Sequence, residues 1–197
     1  MSNHPSILGL HRADALFSVF NKSLLNLATV GIFEPEISKD YPRILHFGPK
    51  YFESYHTWPD VKFTHGFNLG KNSTHARKAL IESVPYACKA LEGGKLLDWE
   101  LGNEPDLFST SSQGPVRPPS WNEKWYVRQW LHWTRQIRTA MEKPCPGLAA
   151  KENYTYASHD RIAMGSCWLT TTQILRTIIC NHECHSRSDH YLARRLR

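Results

Sequence analysis

Two hydrophobic periods run through the middle of this chain, and neither extends cleanly to its ends. Val61-Lys62-Phe63-Thr64-His65-Gly66-Phe67 alternates as a strand does, with successive side chains on opposite faces. From Thr74 the period changes. Ala76, Leu80, Ile81, Val84, Ala87, Cys88 and Leu91 fall on one helical face, with Thr74 able to cap the start. Pro85 lies inside this helix and is expected to kink or shorten it, and Gly93-Gly94 to end it. Leu96–Leu101 reads as a second strand that closes in Gly102-Asn103-Glu104-Pro105. A long loop over roughly Asp106 to Ser120 follows, with Gly114-Pro115 and Pro118-Pro119 inside it. A second helix is expected from near Trp121, burying Trp125 or Tyr126, Trp130, Trp133, Ile137 and Met141, and stopped by Pro144. Upstream, Arg43–Phe47 is a short strand ended by Gly48-Pro49, followed by the aromatic run Tyr51, Phe52, Tyr55, Trp58. Residues 1–40 are apolar enough to be buried in part but keep no single period.

Strand, helix, strand, long loop, helix is an α/β order and predicts parallel strands. A long loop after a strand's C-terminal end is where an α/β barrel places its chemistry. The pattern stops near residue 148. Residues 1–148 are therefore expected to form one domain. Residues 149–197, rich in Thr, His, Cys and Arg, are expected to be an irregular tail, either disordered or the product of a misread exon boundary.

Composition narrows the picture. A chain of 197 residues with 41% hydrophobic positions can bury a sizeable core, which excludes disorder of the whole. Seven Trp fit either a large core or a sugar cleft, with Trp58 and Trp99 expected in the core. The net charge of +6 suits an anionic partner or a plain basic surface. No Lys/Arg run of the kind that tracks phosphates precedes the last few residues, so nucleic acid is not an expected partner. No apolar run reaches 18 residues, so no membrane partner is expected, and the N-terminus lacks the layout of a signal peptide. Five Cys leave at least one thiol unpaired within the chain, and they do not form the framework of a small secreted domain. Three sequons, at Asn21, Asn72 and Asn153, favour secretion mildly. Cys180, His182, Cys184 and His185 have one half of a metal spacing and no second pair. No metal and no cofactor are expected.

The chemistry concentrates in Trp99-Glu100-Leu101-Gly102-Asn103-Glu104-Pro105. A strand delivers Asn and Glu to its C-terminal rim, and Pro prevents its continuation. An ideal strand would point the two side chains to opposite faces. A bend or bulge at Gly102 would bring both to one pocket. Glycoside cleavage needs a carboxylic acid that protonates the leaving oxygen, and gains from an amide on the sugar 2-hydroxyl. Taken alone, a Glu before Pro at a strand end is more often a surface residue or a helix cap.

The stretch resembles the acid/base motif of clan A glycoside hydrolases. The resemblance narrows to glycoside hydrolase family 79, especially its fungal β-glucuronidase-like members. It is carried by Gly48–Tyr55, Trp58-Pro59, His65–Gly70, Trp99–Leu107 and Ser112–Pro118, in that order, within about residues 15–148. It implies a (β/α)8 barrel, normally followed by a β-sandwich, that hydrolyses β-glucuronides with retention. The chain would then hold a partial barrel, about the third and fourth β/α units. Glu104 matches the acid/base carboxylate and Asn103 its 2-hydroxyl partner. His65 and Asn68, at the end of the preceding strand, are expected to line the sugar subsite, with a packed or turn histidine the alternative for His65. Arg117 is expected to be a solvated loop arginine or, less simply, to face an acidic sugar. The family's nucleophile lies on a later strand, beyond the matched segment. Neither Glu152 nor Glu183 has such a setting, and Glu53 and Glu100 precede the acid/base. The chain is thus expected to be a truncated member that lacks the nucleophile, with a carbohydrate as partner and an extracellular full-length parent. The alternative is a non-catalytic carbohydrate-binding remnant.

Overall fold

The computed structural model describes residues 7–9, 18–36, 44–102, 105–110, 115–150, 156–157, 162–164 and 167–169. Its main sheet contains β1 (Ile7–Gly9), β5 (Lys62–Phe67), β6 (Leu96–Leu101) and β7 (Tyr156–Ala157), in that order and all parallel. A second sheet places β4 (Ile44–Phe47) between β2 (Ser18–Phe20), which runs parallel to it, and β3 (Thr29–Ile32), which runs antiparallel. β8 (Ile162–Met164) and β9 (Cys167–Leu169) form a separate antiparallel pair. The helices are α1 (Thr74–Leu91), α2 (Glu123–Glu142) and the short α3 (Pro146–Ala150), with 3-10 turns at Pro49–His56 and Pro105–Ser109. Residues 1–40, which keep no period in the sequence, contribute the three short strands β1, β2 and β3. The stretch after residue 148 contributes β7 to the edge of the main sheet, and most of it lies outside the described residues.

The starts of both long helices are set by local caps, Thr74 being the first residue of α1 and Glu123, two past Trp121, the first of α2. The Ser73 hydroxyl, not Thr74, caps α1 by accepting from the Ala76 amide at 3.2 Å. Asn122 caps α2 in the same way through the Trp125 amide. Pro85 does not shorten α1, which runs through it to Leu91. The helix holds because its apolar stripe is continuous on both sides of the proline. Leu80, Val84, Ala87, Cys88 and Leu91 are all buried, and the interior contacts of one face outweigh one lost backbone hydrogen bond. On α2 it is Tyr126, not Trp125, that turns inward, and Trp58 is more than half exposed, so it is not a core residue as expected.

One pairing was not deducible from spacing. Cys88 on α1 and Cys145, just after α2, form a disulfide that closes a separation of 57 residues. It ties α1 to the end of the helix packed against it.

The strands β5 and β6 carry the fold's polarity. His65 pairs with Trp99 and Phe67 with Leu101, and these four side chains share one buried face. Thr64, Gly66, Asp98 and Glu100 lie on the other face, where the Thr64 hydroxyl reaches the Asp98 carboxylate at 3.3 Å. Between Phe63 and Thr64 the pairing jumps from Leu96 to Asp98, so Leu97 is an extra residue on β6.

Candidate functional site at the C-terminal ends of two parallel strands

The ends of β5 and β6 lie side by side, and the chain turns sharply at both. Gly102 follows β6 with φ +81, a left-handed conformation that a residue with a Cβ adopts only under strain. An added Cβ there would sit 2.9 Å from the Leu69 Cβ, so the position is also closed by packing. The Gly102 amide donates to the Phe67 carbonyl at 2.9 Å, extending the ladder by one rung just as the backbone leaves it. Gly102→Ala should therefore lose about 2–3 kcal/mol, from the left-handed backbone and the clash with Leu69 together. Urea unfolding of the variant measures it, and a loss under about 1 kcal/mol would show that the turn relaxes freely.

Asn103 and Glu104 themselves lie outside the described residues, while their neighbours are held closely. The Trp121 indole N–H donates to the Pro105 carbonyl at 2.8 Å, and the Tyr126 hydroxyl to the Leu101 carbonyl at 3.4 Å. The amides of Val116 and Arg117 both donate to the Phe108 carbonyl, at 2.8 and 2.9 Å. The loop after β6 is thus folded back against the start of α2.

The rim after β5 is built around Asn68. Its side-chain amide donates to the Ser18 carbonyl at 2.7 Å and its side-chain oxygen accepts from the Lys71 amide at 3.1 Å. A narrow cleft beside it is lined by Ser18, Phe20, Phe47, Gly66 and Lys71. Two buried arginines fasten the same loop. Arg77 donates to the carbonyls of Asn68 and Leu69, and Arg117 to those of Leu69 and Gly70. Arg117 also donates to Gln129 and lies over the rings of Phe108 and Trp121. It is neither solvated nor open to a sugar, since 7% of it is exposed. Burial, with the charge of Arg117 added, lowers the Arg77 guanidinium from its ordinary value to about 10, and burial lowers Arg117 as well. Sequence reading missed the role of Arg77. The available signal was a charged residue on the stripe that carries Leu80 and Val84.

His65 sits lower, 2% exposed, among Phe52, Tyr55, Phe67 and Trp99. Its Nδ1 shares a 2.7 Å hydrogen bond with the Tyr55 hydroxyl, and its Nε2 has no partner among the described residues. Burial lowers its pKa from 6.5 to about 3, so it is neutral near pH 7. His65 and Asn68 therefore occupy different levels of β5, one within the aromatic cluster and one at the rim. The larger open groove among the described residues, about 410 Å³, is elsewhere. Phe52, Glu53, His56, Tyr86 and Lys89 line it beside the C-terminal half of α1.

The proteins to which the chain is similar belong to one class, the glycoside hydrolases. The relatives are more particular. A β-glucuronidase of Neurospora crassa is 49% identical over 152 residues, covering 76% of this chain and 27% of that protein. A β-glucuronidase of Aspergillus niger is 58% identical over 125 residues, covering 64% of this chain and 23% of that protein. The chain is β-glucuronidase-like over that stretch and spans about a quarter of the length of these relatives. No family model matches it. A solved 4-O-α-L-rhamnosyl-β-D-glucuronidase from Fusarium oxysporum 12S, in complex with Rha-GlcA, is 22% identical with a TM-score of 0.49. That match covers 73% of this chain and 28% of the solved one.

Proposed function

We propose that the chain carries the acid/base half of a retaining β-glucuronidase site, with Glu104 as the acid/base and Asn103 as the amide that holds the sugar 2-hydroxyl. Asn68 is proposed to line the sugar subsite on the neighbouring strand end, with His65 beneath it. The fold is proposed to be part of a (β/α)8 barrel, and β5, α1, β6 and α2 to be two of its β/α units. The observation that carries the reading is the identity to two β-glucuronidases, 49% and 58%, over a stretch that supplies a strand end with the Gly-Asn-Glu-Pro turn. The substrate is a β-linked glucuronide. Protonation of the leaving oxygen by Glu104 is one half of retention. The other half needs a second carboxylate about 5–5.5 Å away. Glu53 is exposed on the 3-10 turn, and Glu100 lies on β6 itself, ahead of Glu104 rather than on a later strand. Neither is proposed as that nucleophile.

This last observation favours a second reading, in which the chain binds a carbohydrate without cleaving it. A full-length version separates the two. Hydrolysis of an aryl β-glucuronide supports the first reading, and saturable calorimetric binding of glucuronic acid with no hydrolysis supports the binding remnant. In a full-length version, Glu104→Gln is expected to lower kcat/KM about a hundredfold, and turnover equal to wild type removes the role given to Glu104. The Cys88–Cys145 disulfide and the sequons support an extracellular, oxidising compartment for the full-length parent.

A further inference from the structure

We infer that Asn72 is an acceptor for N-linked oligosaccharide, and that the fold accommodates the attached sugar without losing a contact. The inference rests on the reading of an extracellular parent and adds a modification site to it. Of the three sequons, Asn153 lies outside the described residues and Asn21 is half-buried, whereas Asn72, Ser73 and Thr74 are all exposed. They lie in the connection that leads from the rim of β5 into α1. The Asn72 side chain is already oriented. Its oxygen accepts from the Nε and Nη2 of Arg77, at 3.3 and 3.0 Å. Arg77 is itself fixed, 6% exposed, bonded to the carbonyls of Asn68 and Leu69, and 5.0 Å from the centre of the Trp133 ring. The Asn72 side-chain nitrogen donates to no group among the described residues. A planar amide whose oxygen faces a buried guanidinium keeps its nitrogen on the outer side.

Modification uses only that nitrogen. A bond forms between the Asn72 Nδ2 and the anomeric carbon of the first sugar of a lipid-pyrophosphate-linked oligosaccharide. The bond from that carbon to the pyrophosphate oxygen breaks, the lipid pyrophosphate leaves with the electron pair, and one amide proton passes to solvent. The product amide keeps its oxygen and both lone pairs, so the two bonds from Arg77 survive. The Ser73 hydroxyl, in the middle of the sequon, goes on capping α1.

The test translates the full chain, fused to a cleavable secretory leader, into microsomes. Entry is thus forced, and the acceptor is tested apart from where the parent resides. A glycan at Asn72 is expected on most of the chains that enter, read as an aspartate carrying heavy oxygen after enzymatic deglycosylation in heavy-oxygen water. Thr74→Ala removes the sequon and leaves Asn72, Arg77 and the Ser73 cap in place. It is expected to lose the label, and Thr74→Ser to keep it. An unlabelled Asn72 in chains that entered overturns the inference, whether or not Asn21 is modified. Accommodation by the fold is read on protein secreted from a eukaryotic host. The glycosylated chain is expected to unfold in urea at a midpoint no lower than that of Thr74→Ala, and a lower midpoint overturns the claim that the Arg77 contact survives. Should the chain not be secreted, the microsomal labelling decides alone. Fractionation of the parent's own cells tests the compartment separately. A cytosolic parent sinks the extracellular reading, and labelled Asn72 in microsomes still stands as an acceptor.

Discussion

Reduction of the Cys88–Cys145 bond is expected to cost the fold about 4 kcal/mol. A cross-link across 57 residues removes loop-closure entropy from the unfolded chain, and the logarithmic dependence on loop length gives that size. A domain of this kind has on the order of 5–15 kcal/mol in total, so the loss is a large share. Both cysteines are fully buried, with the Cys145 amide bonded to the Met141 carbonyl. The bond thus joins two regions that are already packed, and its removal acts mainly on the unfolded state. Urea midpoints with and without reductant measure the effect. The double variant Cys88→Ala/Cys145→Ala should reproduce the reduced midpoint and ignore reductant. A difference under about 1 kcal/mol would mean that the bond contributes little.

The second large effect belongs to acid. His65 is held neutral by burial, with a folded-state pKa of about 3 against 6.5 in an open chain. Below pH 6.5 the unfolded chain takes up a proton at this position that the folded chain refuses. Stability should therefore be intact above 6.5 and fall as pH drops, by up to about 1.4 kcal/mol per pH unit, until pH reaches about 3. Urea unfolding at pH 7, 6, 5 and 4.5 traces the slope (roughly the window in which this linkage acts). His65→Gln can keep a hydrogen bond to Tyr55 and has nothing to protonate. Its slope should be shallower than that of the wild type. Equal slopes would assign the acid sensitivity to other groups and remove His65 from the account.

These two features differ in how far the sequence announces them. The periodicity of Thr74–Leu91 and the alternation of Val61–Phe67 came through because each is a local pattern of long uniform stretches. Leu96–Leu101 was readable for the same reason, bounded by Gly93-Gly94 and Gly102. What stayed hidden depends on contacts between distant segments. The disulfide needs two helices to meet. The rim needs Arg77 and Arg117, 40 positions apart, to converge on one loop, and nothing in their neighbours' spacing records that. Pro85 shows the reverse case, a strong local signal overruled by a continuous buried stripe. At the candidate site, Glu104 and Asn103 were legible as a motif and Gly102 as its hinge. The hydrogen bond from the Trp121 indole to the Pro105 carbonyl was not, because a tryptophan near a helix start reads as core.

The extra residue in β6 has a consequence for how this segment tolerates change. Leu97 has no counterpart on β5, and from Asp98 onward the two strands are in step. An insertion or deletion in the helix-to-strand connection at Glu92–Lys95 can be absorbed by enlarging or removing that one unpaired position. Lengths can drift upstream while Trp99, Leu101 and the turn at Gly102 hold their register, so the C-terminal end of the strand is insulated from indels at its other end.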